Sequence, residues 1–194
     1  MKIAITGGIG CGKSTVSKYL RERGANVFCA DSAAHRALEV PQIVAQLVER
    51  WGDEIRENAG VSRAKIGNIV FNAPEELKFL ETIIHREVRR QMEPVLAAEG
   101  DVFCDVPLLY EAGMEDMFDA VIAVWSPEAM CRARLANWPR GDYSRRAKLQ
   151  MPPEKKLERA DFALINNDSC EQLYAQCEQL MGKLGIKLQQ HKSI

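Results

Sequence analysis

A glycine-rich turn constrains the fold of this chain more than any other feature. The segment Gly7–Thr15 matches the pattern G-x-x-x-x-G-K-[ST] without a mismatch, and the apolar stretch Lys2–Thr6 precedes it. Apolar residues at helical spacing follow it: Val16, Tyr19 and Leu20. Glycine adopts backbone angles that other residues resist, so successive N–H groups can converge on one anion. A strand, an anion-binding turn and the start of a helix are predicted here.

Most positions of the turn have a predicted contact with a nucleoside triphosphate. Lys13 is expected to reach the β- and γ-phosphates, the Ser14 hydroxyl to bind Mg²⁺, and Thr15 to contact the α-phosphate. Backbone N–H groups complete the predicted binding set: Gly8, Gly10, Cys11 and Gly12. Only the N–H group of Cys11 is used, so no redox chemistry is predicted for this residue. The alternative is a plain glycine-rich turn with an exposed lysine, which the flanking strand and helix disfavour.

Composition excludes several functional classes. The chain has 194 residues, 46% of them hydrophobic, and a formal net charge of −1, which argues against non-specific binding to nucleic acid. No run approaches the roughly 18 apolar residues of a membrane span, and the first apolar run is too short for a secretory signal. The six cysteines are scattered without a C-x-x-C pair, so a disulfide framework and a zinc site are not expected. These observations predict a cytoplasmic protein without a membrane or nucleic-acid partner.

Short apolar runs alternate with longer helical patterns, which predicts an α/β fold with a parallel sheet. The predicted strands are Lys2–Thr6, Asn26–Cys29, Val102–Asp105, Ala120–Trp125 and Phe162–Ile165. About seventy residues separate the second strand from the third, too many for a simple crossover. This insertion is predicted to be helical throughout. Its predicted helices run from Pro41 to about Trp51, from a cap at Ser62 through Val70, and onward from Pro74.

The absence of other motifs narrows the class of nucleotide-binding protein. No N-K-x-D segment of the kind that reads guanine in regulatory GTPases is present, and motor or transporter ATPases are usually larger. A basic segment bounded by helix breakers, Asn137–Pro153, is typical of a mobile flap. A kinase for a small acceptor therefore fits best, and a nucleotide-dependent switch without an acceptor is the rival from another class.

Segments outside the turn carry a resemblance to a known family. They are Thr6–Thr15, Ala30–Asp31, Asp105–Glu111, and Ala160–Asp161 followed by Asn166. On these residues the chain resembles the dephospho-CoA kinases from Ile3 to about Leu180. The resemblance implies Mg²⁺-dependent transfer of the γ-phosphoryl of ATP to the ribose 3′-hydroxyl of dephospho-CoA, giving CoA and ADP. The alternative is another P-loop kinase, for a nucleoside monophosphate or a small alcohol.

The resemblance also implies an organisation into three parts. A P-loop NTPase core with a five-stranded parallel sheet is expected over 1–30, 100–136 and 160–194. A helical lobe that binds the acceptor is expected over 31–99, and a basic lid over 137–159. The predicted partners are the small molecules ATP and dephospho-CoA, and the expected assembly is a monomer or a small homo-oligomer.

Two carboxylates have predicted roles at the ends of strands. By resemblance Asp31 accepts the proton of the attacking hydroxyl, and the alternative is an N-cap of the following helix. Asp105 ends the third predicted strand and is expected to orient Mg²⁺ directly or through water, the alternative being a turn cap before Pro107.

The remaining predicted site residues come from the resemblance. Lid arginines are expected around the migrating phosphoryl group: Arg134, Arg140 and Arg146. The alternative is a solvated basic face. Asn166 is expected to border the adenine, or else to form a turn. The acceptor side is predicted to involve five residues, of which the first is more often structural: His85, Pro107, Leu108, Leu109 and Glu111.

Overall fold

The computed structural model describes residues 1–58, 60–71, 73–136, 143 and 147–189. The strands are β1 (Lys2–Gly7), β2 (Asn26–Cys29), β3 (Arg56–Glu57), β4 (Gly60–Val61), β5 (Val102–Asp105), β6 (Ala120–Trp125) and β7 (Phe162–Ile165). The α-helices are α1 (Lys13–Glu22), α2 (Ala30–Ala37), α3 (Pro41–Trp51), α4 (Arg63–Val70), α5 (Pro74–Ala97), α6 (Glu128–Arg134), α7 (Pro153–Arg159) and α8 (Cys170–Lys183). Short 3₁₀ turns occupy Asp53–Ile55 and Glu115–Met117.

Five of these strands form one parallel sheet in the order β2-β5-β1-β6-β7. The predicted α/β fold is confirmed, and four of the five predicted strands have the predicted bounds, while β1 extends one residue further to Gly7. The register pairs Ile5 with Asp105 across β1 and β5, and Cys29 with Asp105 across β2 and β5. Because the strands are parallel, their carboxyl ends share one edge, where ligands bind in open α/β sheets.

The chain divides into two compact units. The first comprises Met1–Cys29 together with Ala98–Ile194, and the second is Ala30–Ala97. In the first unit, apolar side chains of the sheet form one core cluster with residues of α1 and α8, including Ile3, Phe103, Leu20 and Leu180. Burial of one such side chain contributes about 1.5–3 kcal/mol to folding. This cluster fixes α1, and hence the glycine-rich turn before it, on the sheet.

The second unit has its own core, formed mainly by α3, α4 and α5 around Leu47, Ile55 and Ile83. The predicted helices over Pro41–Trp51, from Ser62 and from Pro74 are present. The expectation of helix throughout is wrong at one place, because β3 and β4 pair as a small antiparallel ribbon. Asn58 turns this ribbon with a φ of 50°, a conformation that asparagine tolerates. Ser62 precedes α4 as predicted, but its side chain makes no capping hydrogen bond.

The carboxyl-terminal part of the predicted lid range is packed into the first unit. Helix α7 packs against β1 and β6, and Lys156 within it is fully buried. The expected lid movement therefore stays a prediction for residues before α7. Among the described helices, none has both the length and the apolar character needed to cross a bilayer.

Candidate active site

The glycine-rich turn connects β1 to α1 and is shaped by close packing at two glycines. Gly10 and Gly12 have φ values of 76° and 98°. A Cβ atom at Gly10 would lie 2.9 Å from the carbonyl oxygen of Cys131, and one at Gly12 would lie 2.0 Å from Nδ2 of Asn166. Larger residues are thus excluded by both backbone angle and space. Because α1 begins at Lys13, its first N–H groups and the positive end of its dipole are available at this turn.

Lys13 is held by a buried carboxylate beneath the turn. Its Nζ lies 2.6 Å from Oδ1 of Asp105, and the Ser17 hydroxyl donates to Oδ2 at 2.8 Å. The side chains of Lys13 and Asp105 are 12% and 6% exposed. A carboxylate buried this deeply needs compensating partners, and the ammonium and hydroxyl groups supply them. Sequence reasoning missed Ser17, although its position one helical turn after Lys13 places both on one face of α1.

Arg134 and Asn166 support the outside of the turn. The Arg134 guanidinium donates to the Gly10 carbonyl at 3.1 Å and to the Ser126 hydroxyl at 2.9 Å. It also donates to the carbonyl and to Oδ1 of Asn166, at 3.0 and 3.2 Å. Asn166 in turn donates from Nδ2 to the Cys11 carbonyl at 2.9 Å. By fixing these carbonyl groups, the two side chains hold the backbone conformation of the turn.

The segment predicted to face the acceptor follows β5 and is held by Lys156. The Lys156 ammonium donates to the Pro107 carbonyl at 2.6 Å and pairs with Oε1 of Glu111 at 2.8 Å. The same carboxylate accepts the N–H of Met151 at 2.8 Å. Leu109 is fully buried. Burial lowers the pKa of Lys156, and the hydrogen bond to Glu111 opposes that shift.

Sequence reasoning missed Lys156, and no pattern in the sequence reveals it. It lies in the charged run Glu154–Arg159, where a buried lysine cannot be told from its exposed neighbours. Its ion pair with Glu111 is a contact between distant parts of the chain. The role predicted for Glu111 from the resemblance therefore includes a structural component.

The predicted residues Asp31 and His85 belong to the second unit. Asp31 is exposed and lies in the first turn of α2, which begins one residue earlier at Ala30. It is therefore inside the helix and not its N-cap, so the capping alternative does not hold. His85 is half-buried on α5. The catalytic role of Asp31 and the acceptor role of His85 stay predictions.

The other predicted residues fall into three groups. Ser14 is exposed and Thr15 is half-buried at the start of α1. Pro107 and Leu108 are half-buried in the segment after β5. Arg140 and Arg146, two of the predicted lid arginines, lie outside the described residues.

A hydroxyl and a carboxylate are available as oxygen ligands for Mg²⁺. The exposed Ser14 hydroxyl and the Asp105 carboxylate have the chemistry that this cation prefers. Within the described ranges, no group of three or more His, Cys, Asp and Glu residues has the spacing of a metal site. Mg²⁺ usually keeps several waters and binds one or two protein groups together with substrate phosphates, so the donor set present fits it.

Comparison with known proteins shows the family. The model of the family described as dephospho-CoA kinase matches residues 1–172. The chain is 37% identical to the dephospho-CoA kinase of Thermosynechococcus vestitus over 95% of both chains. It is 34% identical to that of Aquifex aeolicus, covering 94% of this chain and 97% of the relative.

Solved structures agree in fold. A crystal structure from Thermus thermophilus matches with a TM-score of 0.79 and 34% identity, over 95% of this chain and 97% of that one. The dephospho-CoA kinase of Campylobacter jejuni matches with a TM-score of 0.70 and 25% identity, over 95% and 98%. A shikimate kinase from Acinetobacter baumannii, with a TM-score of 0.52 and 15% identity over 95% and 93%, shares the fold alone. The chain therefore belongs to the dephospho-CoA kinase family, whose members are kinases that phosphorylate an alcohol group.

Proposed function

We propose that this chain uses the glycine-rich turn to bind Mg-ATP and transfers its γ-phosphoryl group to the ribose 3′-hydroxyl of dephospho-CoA. The products are CoA and ADP. The observation that carries the proposal is the Lys13 ammonium at the start of α1, held at 2.6 Å by the buried Asp105. Membership of the family supplies the reaction class, and this arrangement supplies the means to bind and activate a triphosphate.

The triphosphate would lie along the turn, where backbone N–H groups and the dipole of α1 attract it. Lys13 would exchange its contact with Asp105 for the β- and γ-phosphates, and Thr15 would contact the α-phosphate. Ser14 and Asp105 would hold Mg²⁺, which when bound neutralises charge on the phosphate oxygens. Phosphoryl transfer depends mainly on positioning and on positive charge around the migrating group, and these residues provide both.

The acceptor hydroxyl needs a base, and Asp31 is the proposed one. Its carboxylate is exposed in the first turn of α2, two residues after Cys29, the register partner of Asp105. As the ribose 3′-oxygen bonds to the γ-phosphorus, its proton passes to a carboxylate oxygen of Asp31, and the bond to the β-phosphate oxygen breaks to release ADP.

Arginines and Asn166 complete the proposed site. Arg134 is bonded to the turn carbonyl of Gly10, so it acts first by holding the phosphate-binding backbone. Asn166 borders the same turn, which suits its proposed position beside the nucleotide. Arg140 and Arg146 are proposed to come from the lid and to add positive charge while water is excluded, because water is the competing acceptor.

The acceptor is proposed to contact the segment Pro107–Glu111 of the first unit, and His85 of the second unit stays the acceptor residue that the resemblance implies. Lys156 fixes the backbone of that segment at Pro107 and its far end at Glu111. A rigid segment lowers the entropy cost of holding the acceptor in the geometry that reacts. We propose that the protein acts as a monomer or small homo-oligomer in the cytoplasm.

Acceptor-dependent release of ADP tests the function. The protein is assayed with Mg-ATP and one of dephospho-CoA, adenosine monophosphate or shikimate, and ADP is coupled to NADH oxidation. Turnover stimulated by dephospho-CoA alone is expected. If adenosine monophosphate or shikimate stimulates ADP release more strongly, that compound and not dephospho-CoA is the substrate. If the protein binds ATP and no acceptor stimulates ADP release, a nucleotide-dependent switch is favoured.

A further inference from the structure

Two thiols meet behind the glycine-rich turn. Sγ of Cys11, within the turn, lies 3.6 Å from Sγ of Cys131 on α6, and these residues are 0% and 1% exposed. We propose that this pair is an oxidation site, at which a hydroperoxide closes a Cys11–Cys131 disulfide that weakens nucleotide binding. The consequence for ATP rests on the proposed function, whereas formation of the disulfide does not.

The two sulfur atoms are already in contact, so the bond requires little movement. A disulfide is about 2.0 Å long, and each sulfur would need to move by less than about 1 Å. Cys131 also donates to the Ser126 carbonyl at 3.5 Å, which anchors its side chain on the side of α6 that carries the contact. The 120 residues between the two cysteines hide this pair from motif searches, so the expectation of no redox chemistry at Cys11, which considered only its N–H group, did not include Cys131.

Within the described ranges, a cavity borders the pair on the side of Cys131. Cys131 lines a cavity of about 480 Å³, together with Ser126, Glu128, Pro153 and Glu154. The hydrogen bond with Cys11 lowers the pKa of Cys131; burial opposes this shift, and Ser126 and the positive charge of Arg134 favour it. The same hydrogen bond and burial raise the pKa of Cys11. Cys131 is therefore the thiolate that attacks first, because thiolates and not thiols are the nucleophiles.

The reaction balances with hydrogen peroxide as the oxidant. The Cys131 thiolate attacks one peroxide oxygen, the O–O bond breaks, and the departing hydroxide takes a proton to form water. Cys131 is then a sulfenic acid. The Cys11 sulfur attacks the Cys131 sulfur while its proton passes to the sulfenic oxygen, the S–O bond breaks, and that oxygen leaves as water. Two thiols and one peroxide thus yield one disulfide and two waters.

The disulfide would disturb the turn because the backbone of Gly10, next to Cys11, packs closely against Cys131. A Cβ atom at Gly10 would already lie 2.9 Å from the Cys131 carbonyl oxygen and 3.1 Å from its Cα. Even a movement of less than about 1 Å at Cys11 would therefore pull on a closely packed turn. Two of its supports would change, the Arg134 bond to the Gly10 carbonyl and the Asn166 bond to the Cys11 carbonyl. The N–H groups that bind phosphate would lose their common direction.

The buried cysteines Cys104 and Cys177 provide an internal comparison. Burial raises the pKa of each thiol to about 12, so both are poor nucleophiles at neutral pH. Cys170 is exposed on α8 and serves as a control for unselective oxidation. We therefore expect the Cys11–Cys131 pair to react with peroxide, whereas burial or exposure alone does not make a cysteine reactive.

Peptide mapping and nucleotide binding together test the proposal. Wild type, Cys131→Ser and the control Cys170→Ser are treated with hydrogen peroxide, and free thiols are then alkylated. Mass spectrometry of the digest is expected to find a linked Cys11–Cys131 peptide in wild type and in Cys170→Ser. Calorimetry with a nonhydrolysable ATP analogue is expected to show at least about tenfold weaker binding by these two oxidised proteins, restored by dithiothreitol, a 1.4 kcal/mol effect. Cys131→Ser should keep its affinity after the same treatment.

Each result that differs from these expectations refutes one part of the proposal. If the oxidised wild type contains no linked peptide, or only singly oxidised cysteines, the site is refuted without reference to ATP. If the peptide is present and affinity is unchanged, its effect on the turn is refuted. Because the peptide mapping is done on wild type, its result does not depend on whether Cys131→Ser folds correctly. Failure of the reduced protein to bind the analogue would refute the proposed function, while the mapping result would still decide the oxidation site.

Discussion

The Lys13 ammonium lies 2.6 Å from Oδ1 of Asp105, and both side chains are largely buried. The lysine that is proposed to grip the phosphates is therefore held in place by an acid before any nucleotide arrives. The Ser17 hydroxyl donates to the second carboxylate oxygen, so each oxygen of Asp105 has a partner. An incoming triphosphate would compete with Asp105 for Lys13, and this exchange links nucleotide binding to the end of β5.

Replacement of Lys13 should abolish most phosphoryl transfer. In Lys13→Ala the positive charge on the β- and γ-phosphates is lost, and kcat is expected to fall by about 10²–10³-fold. Steady-state ADP release measures this loss. Lys18→Ala, on the exposed side of the same helix, is the matched control and should keep near-normal turnover. Equal turnover by Lys13→Ala and wild type would refute the role of the turn.

Replacement of Asp31 should separate binding from chemistry. Asp31→Asn keeps the shape of the side chain but cannot accept a proton as a carboxylate does. The expected result is a loss of kcat of about 10²–10⁴-fold, with unchanged affinity for the ATP analogue. Asp53→Asn, an exposed acid of the same unit, is the control. Unchanged kcat in Asp31→Asn would remove this residue as the base.

Replacement of Arg134 should raise KM for ATP. Arg134→Ala loses donors to Gly10 and Asn166, and the turn becomes less ordered before binding. An increase of about tenfold in KM is expected, by analogy with the loss of one to two charge-assisted hydrogen bonds. Arg134→Lys should recover little, because an ammonium lacks the planar set of donors that spans both partners. The control is Arg21→Ala on α1, and full activity of Arg134→Lys would contradict this explanation.

Replacement of Lys156 should destabilise the first unit. Lys156→Met removes the buried donor of the Pro107 carbonyl and of the exposed Glu111, and a loss of about 1–3 kcal/mol in unfolding free energy is expected. Urea unfolding measures it. The double variant Lys156→Met with Glu111→Leu removes both charges and should recover part of the loss. Additive losses in the double variant would show that the ion pair is not the cause.

Glu76 should make the stability of the second unit depend on acid pH. Hydrogen bonds from Arg50, then Trp51, lower the pKa of Glu76. Because the pKa of Glu76 is lower in the folded state, its ionised carboxylate stabilises that state. This stabilisation is complete above the ordinary glutamate range and is lost as pH falls through the lowered pKa. Wild type should thus exceed Glu76→Gln in unfolding free energy at about pH 7, with the difference shrinking as pH falls below the ordinary glutamate range. A difference that persists or grows in acid would contradict this linkage.

The parts of the fold that depend on local pattern were predictable from the sequence. The strands Asn26–Cys29 and Val102–Asp105 are short apolar runs between turn signals, and their predicted bounds agree with the structure. The glycine-rich turn was predictable because its conformation demands residues that are visible in the sequence. The ribbon of β3 and β4 was missed because each strand has two residues, too few to show alternation.

The supports of the site were not predictable, because they are contacts between distant segments. Arg134 reaches Gly10 across 124 residues, and Lys156 reaches Pro107 across 49. Nothing local distinguishes these side chains from neighbouring basic residues that face solvent. Their partners follow from the order of strands in the sheet, which brings the ends of β1, β5 and β6 together.

Transfer of the γ-phosphoryl group from ATP to dephospho-CoA can be followed directly with labelled ATP. The protein is incubated with Mg²⁺, γ-labelled ATP and dephospho-CoA, and the products are separated and their label located. We expect wild type to place the label on the ribose 3′-oxygen of CoA, and Lys13→Ala to lose nearly all of this labelling. Label found only in inorganic phosphate, or equal labelling of CoA by both proteins, would contradict this expectation.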